Sequence, residues 1–125
     1  MLSKKGHEFG SITDKIISTA IEVRKNLGSG YEEKFYQRAF AKELQMAGLK
    51  FGREQWVSIY YKNEKIGVKR LDFIIEDILV EIKAKAQFDP QDYIQTLSYL
   101  KATRLKIGLL LNFGSAKIKI KRFIN

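Results

Sequence analysis

The chain has 125 residues, with 23 lysines and arginines against 14 aspartates and glutamates, and a formal net charge of +9. That length suits one domain around a single hydrophobic core, and 45% hydrophobic with 30% charged residues excludes a disordered chain and a bundle of membrane spans. The absence of cysteine removes disulfide scaffolds, thiolate zinc sites and cysteine nucleophiles, and the single histidine, His7, leaves no imidazole cluster for a metal.

No run approaches the ~18 consecutive apolar residues of a spanning helix. Met1 to Gly10 carry no apolar signal core, so a cytoplasmic protein without membrane contact is expected. Residues 1–10 are expected to be a flexible N-terminal segment of a single domain covering 1–125, because no repeat or Pro/Gly-rich linker divides the chain. The first helix is marked by Ile16, Ala20, Val23 and Leu27, with Ile17 and Ile21 widening the stripe. Gly28-Ser29-Gly30 ends it. A second helix is predicted over 31–47, with Tyr36, Phe40, Leu44 and Ala47 on its apolar face and Gly48 as its stop.

The pattern then changes to strands over 55–61, 66–75 and 78–84, joined by turns at 62–65 and at Glu76-Asp77. Asp89-Pro90 predicts a helix start, since Asp89 can cap free amides and Pro90 suits the first helical position. Tyr93, Leu97 and Leu100 mark the expected inner face of that helix, which fades near Thr103. Leu105 to Leu111 reads as a strand buried on both faces. Ala116 to Ile124, with Lys117, Lys119 and Lys121 alternating against Ile118 and Ile120, reads as a charged edge strand. The order α-α-β-β-β-α-β-β predicts an antiparallel meander followed by a helical crossover to a parallel strand.

The most informative segment is Arg70 to Lys83. A two-residue turn at Glu76-Asp77 pairs Ile75 with Ile78 and sets Asp72 opposite Glu81. Alternation then gives one apolar face of Leu71, Phe73, Ile75, Ile78, Val80, Ile82 and Ala84, and a second face of Asp72, Ile74, Leu79, Glu81 and Lys83. Like charges directly opposite one another destabilise a sheet, so a cation, a proton or a metal must compensate them. Lys83 and Arg70 could do so on a solvated face. The other reading is a hard-cation site, since Mg²⁺ takes one or two carboxylates together with water and phosphate oxygens.

Asp72, followed after eight residues by Glu81-Ile82-Lys83, resembles the core of the PD-(D/E)XK nuclease superfamily. Gly30-Tyr31-Glu32-Glu33-Lys34-Phe35-Tyr36 is similar to the G-x-x-E-x-x-Y signature of the GxxExxY family within it. Similarity continues through Ile66-Gly67, Gln95, Tyr99-Leu100 and Leu111-Asn112-Phe113-Gly114, and covers residues 11–125. Leu71 stands where the motif name has proline.

The resemblance implies an α/β (α+β) fold with a restriction-endonuclease-like α-β-β-β-α-β core, an extra N-terminal helix and a C-terminal strand. It implies that Asp72, Glu81 and the Ile82 carbonyl hold Mg²⁺ or Mn²⁺, that Lys83 assists the attacking water, and that Glu33 is a further ligand or positions water. Gln95 would orient Lys83 or substrate, with Tyr99 beside it. Bland readings compete: Glu33 shares the stripe of Tyr36, Phe40 and Leu44 but also sits at a helix N-terminus, where the dipole stabilises it. Gln95 and Tyr99 share a helix face that could simply be half exposed.

Lys69, Arg70, Lys85, Lys117, Lys119, Lys121 and Arg122 are candidates for nucleic-acid backbone contacts, or only solvate sheet edges. The expected activity is metal-dependent hydrolysis of phosphodiester bonds, with DNA as the partner. A homodimer or a larger complex would suit two-strand cleavage, although no interface is legible. Alternatives are a non-catalytic nucleic-acid-binding module and a protein-interaction component of a defence or repair system.

Overall fold

A computed structural model describes residues 4–125, and their side chains from residue 10 onward. The elements are α1 (Lys4–Leu27), α2 (Glu33–Met46), β1 (Phe51–Tyr61), β2 (Glu64–Ile75), β3 (Ile78–Lys83), α3 (Pro90–Thr103), β4 (Ile107–Asn112) and β5 (Lys119–Ile124). Of the expected flexible segment 1–10, residues 1–3 lie outside the described residues and the backbone of 4–10 belongs to α1. None of the described helices is long and apolar enough to cross a membrane.

One five-stranded sheet runs in the order β1-β2-β3-β4-β5. β1, β2 and β3 form the antiparallel meander, and α3 carries the chain across so that β4 lies parallel to β3. β5 returns antiparallel to β4 as the second edge. Both short turns use two residues at positive φ, Lys62-Asn63 and Glu76-Asp77, a geometry whose twist matches that of the strands it joins. β1 starts at Phe51, four residues before the expected Gln55, because Gly52 and Glu54 interrupt the alternation that marks a strand.

The helices cover opposite faces of this mixed sheet. α1 and α2 bury Ile16, Ala20, Val23, Tyr36, Phe40 and Leu44 against Phe73, Ile75, Ile78, Val80, Ile82, Leu109 and Leu111. On the other face Leu100 of α3 packs on Leu79 and Leu71. Ile21 and Ala47, expected within helical stripes, are exposed; Ala47 is the C-cap of α2.

Two expectations about faces are corrected. Leu71 packs with Leu79 and Leu100, not with Phe73 and Ile75, so β2 rotates between Leu71 and Phe73. The rotation coincides with Glu54, at φ 51°, which lies between the paired positions Arg53 and Gln55 and interrupts the β1–β2 ladder opposite Asp72. The inner face of α3 is Asp92, Thr96 and Leu100, while Tyr93 is partly exposed. Polar side chains can occupy that face because each is bonded: Asp92 and Asp89 form a reciprocal capping box, and Thr96 Oγ1 donates to the Asp92 carbonyl at 2.8 Å.

Candidate active site

The site lies where β2 and β3 part. Their backbone pairing runs from Ile75–Ile78 to Phe73–Val80 and stops, one step before Asp72 and Glu81. The predicted opposition is kept in register but made through side chains. The Asp72 amide donates to Glu81 Oε2 at 2.8 Å, and the Ile82 amide donates to Asp72 Oδ2 at 2.8 Å. Each carboxylate therefore replaces a ladder carbonyl with one oxygen and keeps its second oxygen for another partner.

This arrangement concentrates negative charge. Burial first, and the neighbouring Asp72 charge second, push Glu81 up from 4.5 to about 8. Burial raises Asp72 as well, opposed by the hydrogen bond from the Ile82 amide and by the positive charges of Lys83 and Arg70. Two carboxyls in such contact titrate as a pair and retain a proton near neutral pH unless a cation displaces it.

Lys83 follows on β3 and is held from α3. Its Nζ donates to Gln95 Oε1 at 3.5 Å and lies 4.0 Å from Asp92 Oδ1. Tyr99 lies one turn on from Gln95, and its hydroxyl is pushed up chiefly by burial and then by the charge of Glu81. The shared face of Gln95 and Tyr99 thus points toward the carboxylates. Lys85 is engaged elsewhere: Nζ lies 2.9 Å from Asp89 Oδ2 and 2.9 and 3.0 Å from the two oxygens of Asp92. Its ammonium is thus shared between these two acids.

Two supports are not evident from motif spacing alone. Asn112, fully buried at the end of β4, clamps the turn after β3: Oδ1 accepts from the amides of Lys85 and Gly114, both at 3.0 Å, and Nδ2 donates to the Lys85 carbonyl at 2.9 Å. Asp92 joins the α3 cap to both lysines. The only signals for them in the chain are a polar residue ending an apolar run and the D-P-x-D pattern of a cap.

Glu33 occupies the first turn of α2 and is half-buried. Burial and then Asp72 raise its pKa, while Lys83 and Lys85 act in the opposite direction, so its carboxylate faces the site. Its Oε2 accepts from Gln37 Nε2 at 3.1 Å. Tyr36 is structural, as expected: its hydroxyl donates to the Gly28 carbonyl at 2.7 Å and its ring stacks on Phe113, which fixes where α2 begins.

The other cations surround this centre at different distances. Arg70 and Lys69 are exposed on β2, with the Arg70 guanidinium 6.0 Å from the Trp56 ring centre. Lys121 and Lys119 lie in register with Glu81 and Lys83, respectively, across β4, which is about 10 Å away. Lys117 precedes β5 and Arg122 pairs with Leu109; both are exposed.

Among the described residues no group of three or more His, Asp or Glu side chains is close enough to hold a metal, and Glu33 stands beside the Asp72–Glu81 pair. The remaining donors still fit a hard divalent cation. Asp72 and Glu81 each have a spare oxygen, and Ile82 turns its carbonyl to the same side of β3 as its amide, where pairing with β2 has ended. Two carboxylates, a carbonyl and water or phosphate oxygens satisfy Mg²⁺.

The fold is similar to that of a protein whose solved structure is titled "Crystal structure of SSO0001", with a TM-score of 0.61 and 17% identity. The likeness covers 74% of this chain but 50% of that one, so the chain spans half the length of that relative. No curated protein matches the chain. A family model described as the PD-(D/E)XK nuclease superfamily matches residues 10–123, which include the parted strands, the E-x-K triplet and both flanking helix layers. The chain belongs to the PD-(D/E)XK nuclease superfamily.

Proposed function

We propose that the protein is a Mg²⁺- or Mn²⁺-dependent nuclease that hydrolyses phosphodiester bonds of DNA, and that it falls in the GxxExxY group of its superfamily. The observation that carries this reading is the reciprocal bonding of Asp72 and Glu81 across parted strands, with Lys83 held beside them by Gln95. A divalent cation held by Asp72, Glu81 and the Ile82 carbonyl would supply positive charge at the scissile phosphate and a water of lowered pKa.

The chain's own residues do the rest. Lys83 orients the attacking water and offsets the charge that grows on the phosphate oxygens. Gln95 limits the freedom of the Lys83 ammonium, and Asp92 anchors it from below. Glu33, at the rim, positions water or adds a ligand to the cation. Lys69, Arg70, Lys117, Lys119, Lys121 and Arg122 contact the phosphate backbone, so binding weakens with salt and depends little on sequence. Membership of the GxxExxY group is supported by the distinct roles of its signature: Tyr36 pins the start of α2, and Glu33 presents a carboxylate from that start to Asp72.

The test is hydrolysis of single- and double-stranded DNA and RNA in Mg²⁺ or Mn²⁺, with Asp72→Ala and Lys83→Ala as controls. Cleavage of DNA that falls at least about 100-fold in both variants is expected. Cleavage unchanged in either variant rejects the assigned site, and binding without cleavage in either metal favours a non-catalytic binding module.

A further inference from the structure

The β1–β2 hairpin is longer than the sheet it belongs to. β3 pairs with β2 only at Phe73, Ile74 and Ile75, so residues 64–71 of β2 have β1 as their sole sheet neighbour. A two-stranded ribbon is marginal by itself. This one is steadied on one face by α3, where Val57 and Leu71 pack with Leu100. Alternation turns Trp56, Ser58, Val68 and Arg70 to the opposite face, where Trp56, Val68 and Arg70 are exposed.

That open face combines large rings with positive charge. Trp56 is 66% exposed, and Tyr60, four residues further on the same strand, is 62% exposed. Val68, in register with Ser58 on that face, is exposed as well. Arg70 stands beside Trp56 on this face, and Lys62 and Lys65 add positive charge toward the tip of the arm, with Glu64 the one acid between residues 55 and 70; Lys69 pairs with Val57 on the side of α3. A solvated arm has no need of its rings, and a purely electrostatic one has no use for them. Exposed aromatics among cations suit an unpaired nucleobase, which has a free π-face and a neighbouring phosphate; a duplex keeps its base faces stacked inside. A second copy of the chain fits less well, since an isologous contact would set this cationic patch against itself.

Position supports the same occupant. Arg70 is two residues from Asp72 along β2, or about 7 Å, and Trp56 is its direct cross-strand partner. Because β3 has left β2 beyond Phe73, the free edge of β2 joins the site, which faces α3, to the opposite face that bears Trp56, so a strand whose phosphate lies at Asp72 and Glu81 can turn an adjacent base across that edge onto the indole. We propose that the outer face of the β1–β2 arm binds single-stranded nucleic acid, with Trp56 stacking on the base beside the phosphate bound at Asp72 and Glu81. The inference deepens the nuclease reading and rests on it for the place of that phosphate.

The chain has one tryptophan, so Trp56 reports on its own contact. The full chain is titrated in EDTA, where no hydrolysis is read, with oligothymidylate or oligouridylate of about 12 nucleotides and with a blunt duplex. Expected are quenching of the indole fluorescence by the single strands but not by the duplex, and an affinity loss for single strands of about 5- to 100-fold in Trp56→Ala. Trp56→Phe, which keeps a stacking ring, should stay within about threefold of wild type. A Trp56→Ala protein that is folded by circular dichroism and binds single strands as tightly as wild type overturns the proposal, whatever the cleavage assay gives. So does sedimentation showing that Trp56→Ala turns a dimer into a monomer, which would make the arm an interface between copies. A chain that cleaves nothing yet shows Trp56-dependent binding leaves the arm intact and refutes the nuclease reading alone.

Discussion

Replacing Glu81 with glutamine should stabilise the metal-free protein at alkaline pH while removing its activity. The amide side chain would retain an oxygen to accept the Asp72 amide but remove a charge that is 6% exposed and faces a second carboxylate. Glu81 rises from 4.5 to about 8 on folding, so the folded state holds a proton that the unfolded state has lost. Stability from this group is therefore complete below about pH 4.5 and is lost as pH rises through about 8. A displacement of that size corresponds to an upper bound of about 5 kcal/mol, and sharing of the proton with Asp72 brings the expected loss to roughly 3 kcal/mol. Urea unfolding in EDTA should give wild type and Glu81→Gln similar stabilities near pH 4.5, and a gap in favour of the variant that opens toward pH 9. Exchanging EDTA for Mg²⁺ should return part of the loss to wild type and not to the variant, since a cation that binds only the folded pair stabilises it. A gap of the same size at both pH values would show that the two carboxylates do not share a buried site, and the metal argument would fall with it.

Other expectations are more local. Gln95→Ala should lower kcat by about tenfold, less than Lys83→Ala, because it loosens the ammonium without removing it; single-turnover cleavage separates the two. Tyr36→Phe deletes only the hydroxyl bonded to the Gly28 carbonyl and should cost about 1 kcal/mol in urea unfolding, whereas Tyr36→Ala, which empties a fully buried ring, should cost about 3–5 kcal/mol. Gly114→Ala would place a methyl against the backbone of Ala84 and Lys85, where no flexible side chain can yield. A loss of about 2 kcal/mol is expected, together with reduced cleavage because this backbone follows Lys83; unchanged thermal stability would contradict the close approach. Asp89→Ala should lower the urea midpoint by removing the side-chain cap of α3.

The sequence alone is enough for the order of elements, the parallel crossover and the acidic pair, and the reason is local physics. Helical stripes such as Ile16, Ala20 and Val23, the Asp89-Pro90 start and the two-residue turn at Glu76-Asp77 each depend on neighbours in the chain, and each appears where its pattern predicts. The turn in turn sets the register that brings Asp72 and Glu81 together.

What depends on contacts between distant segments requires the tertiary structure. Strand alternation has no term for a backbone that rotates where a side chain replaces a ladder bond, so it puts Leu71 on the wrong face. Hydrophobic pattern ignores polar residues that satisfy one another, so it turns the buried Asp92–Thr96 face of α3 toward solvent. Lys85 looks like a free cation until folding sets it against Asp89 and Asp92, and Glu33 shares a stripe with core residues yet is only half-buried. Composition can count the cations and aromatic rings between residues 55 and 70, but only the strand register sets Arg70 against Trp56, on an arm that β3 leaves uncovered next to Asp72. Local sequence chooses the elements and their register. Which charges remain free is decided by the partners that the fold brings to them.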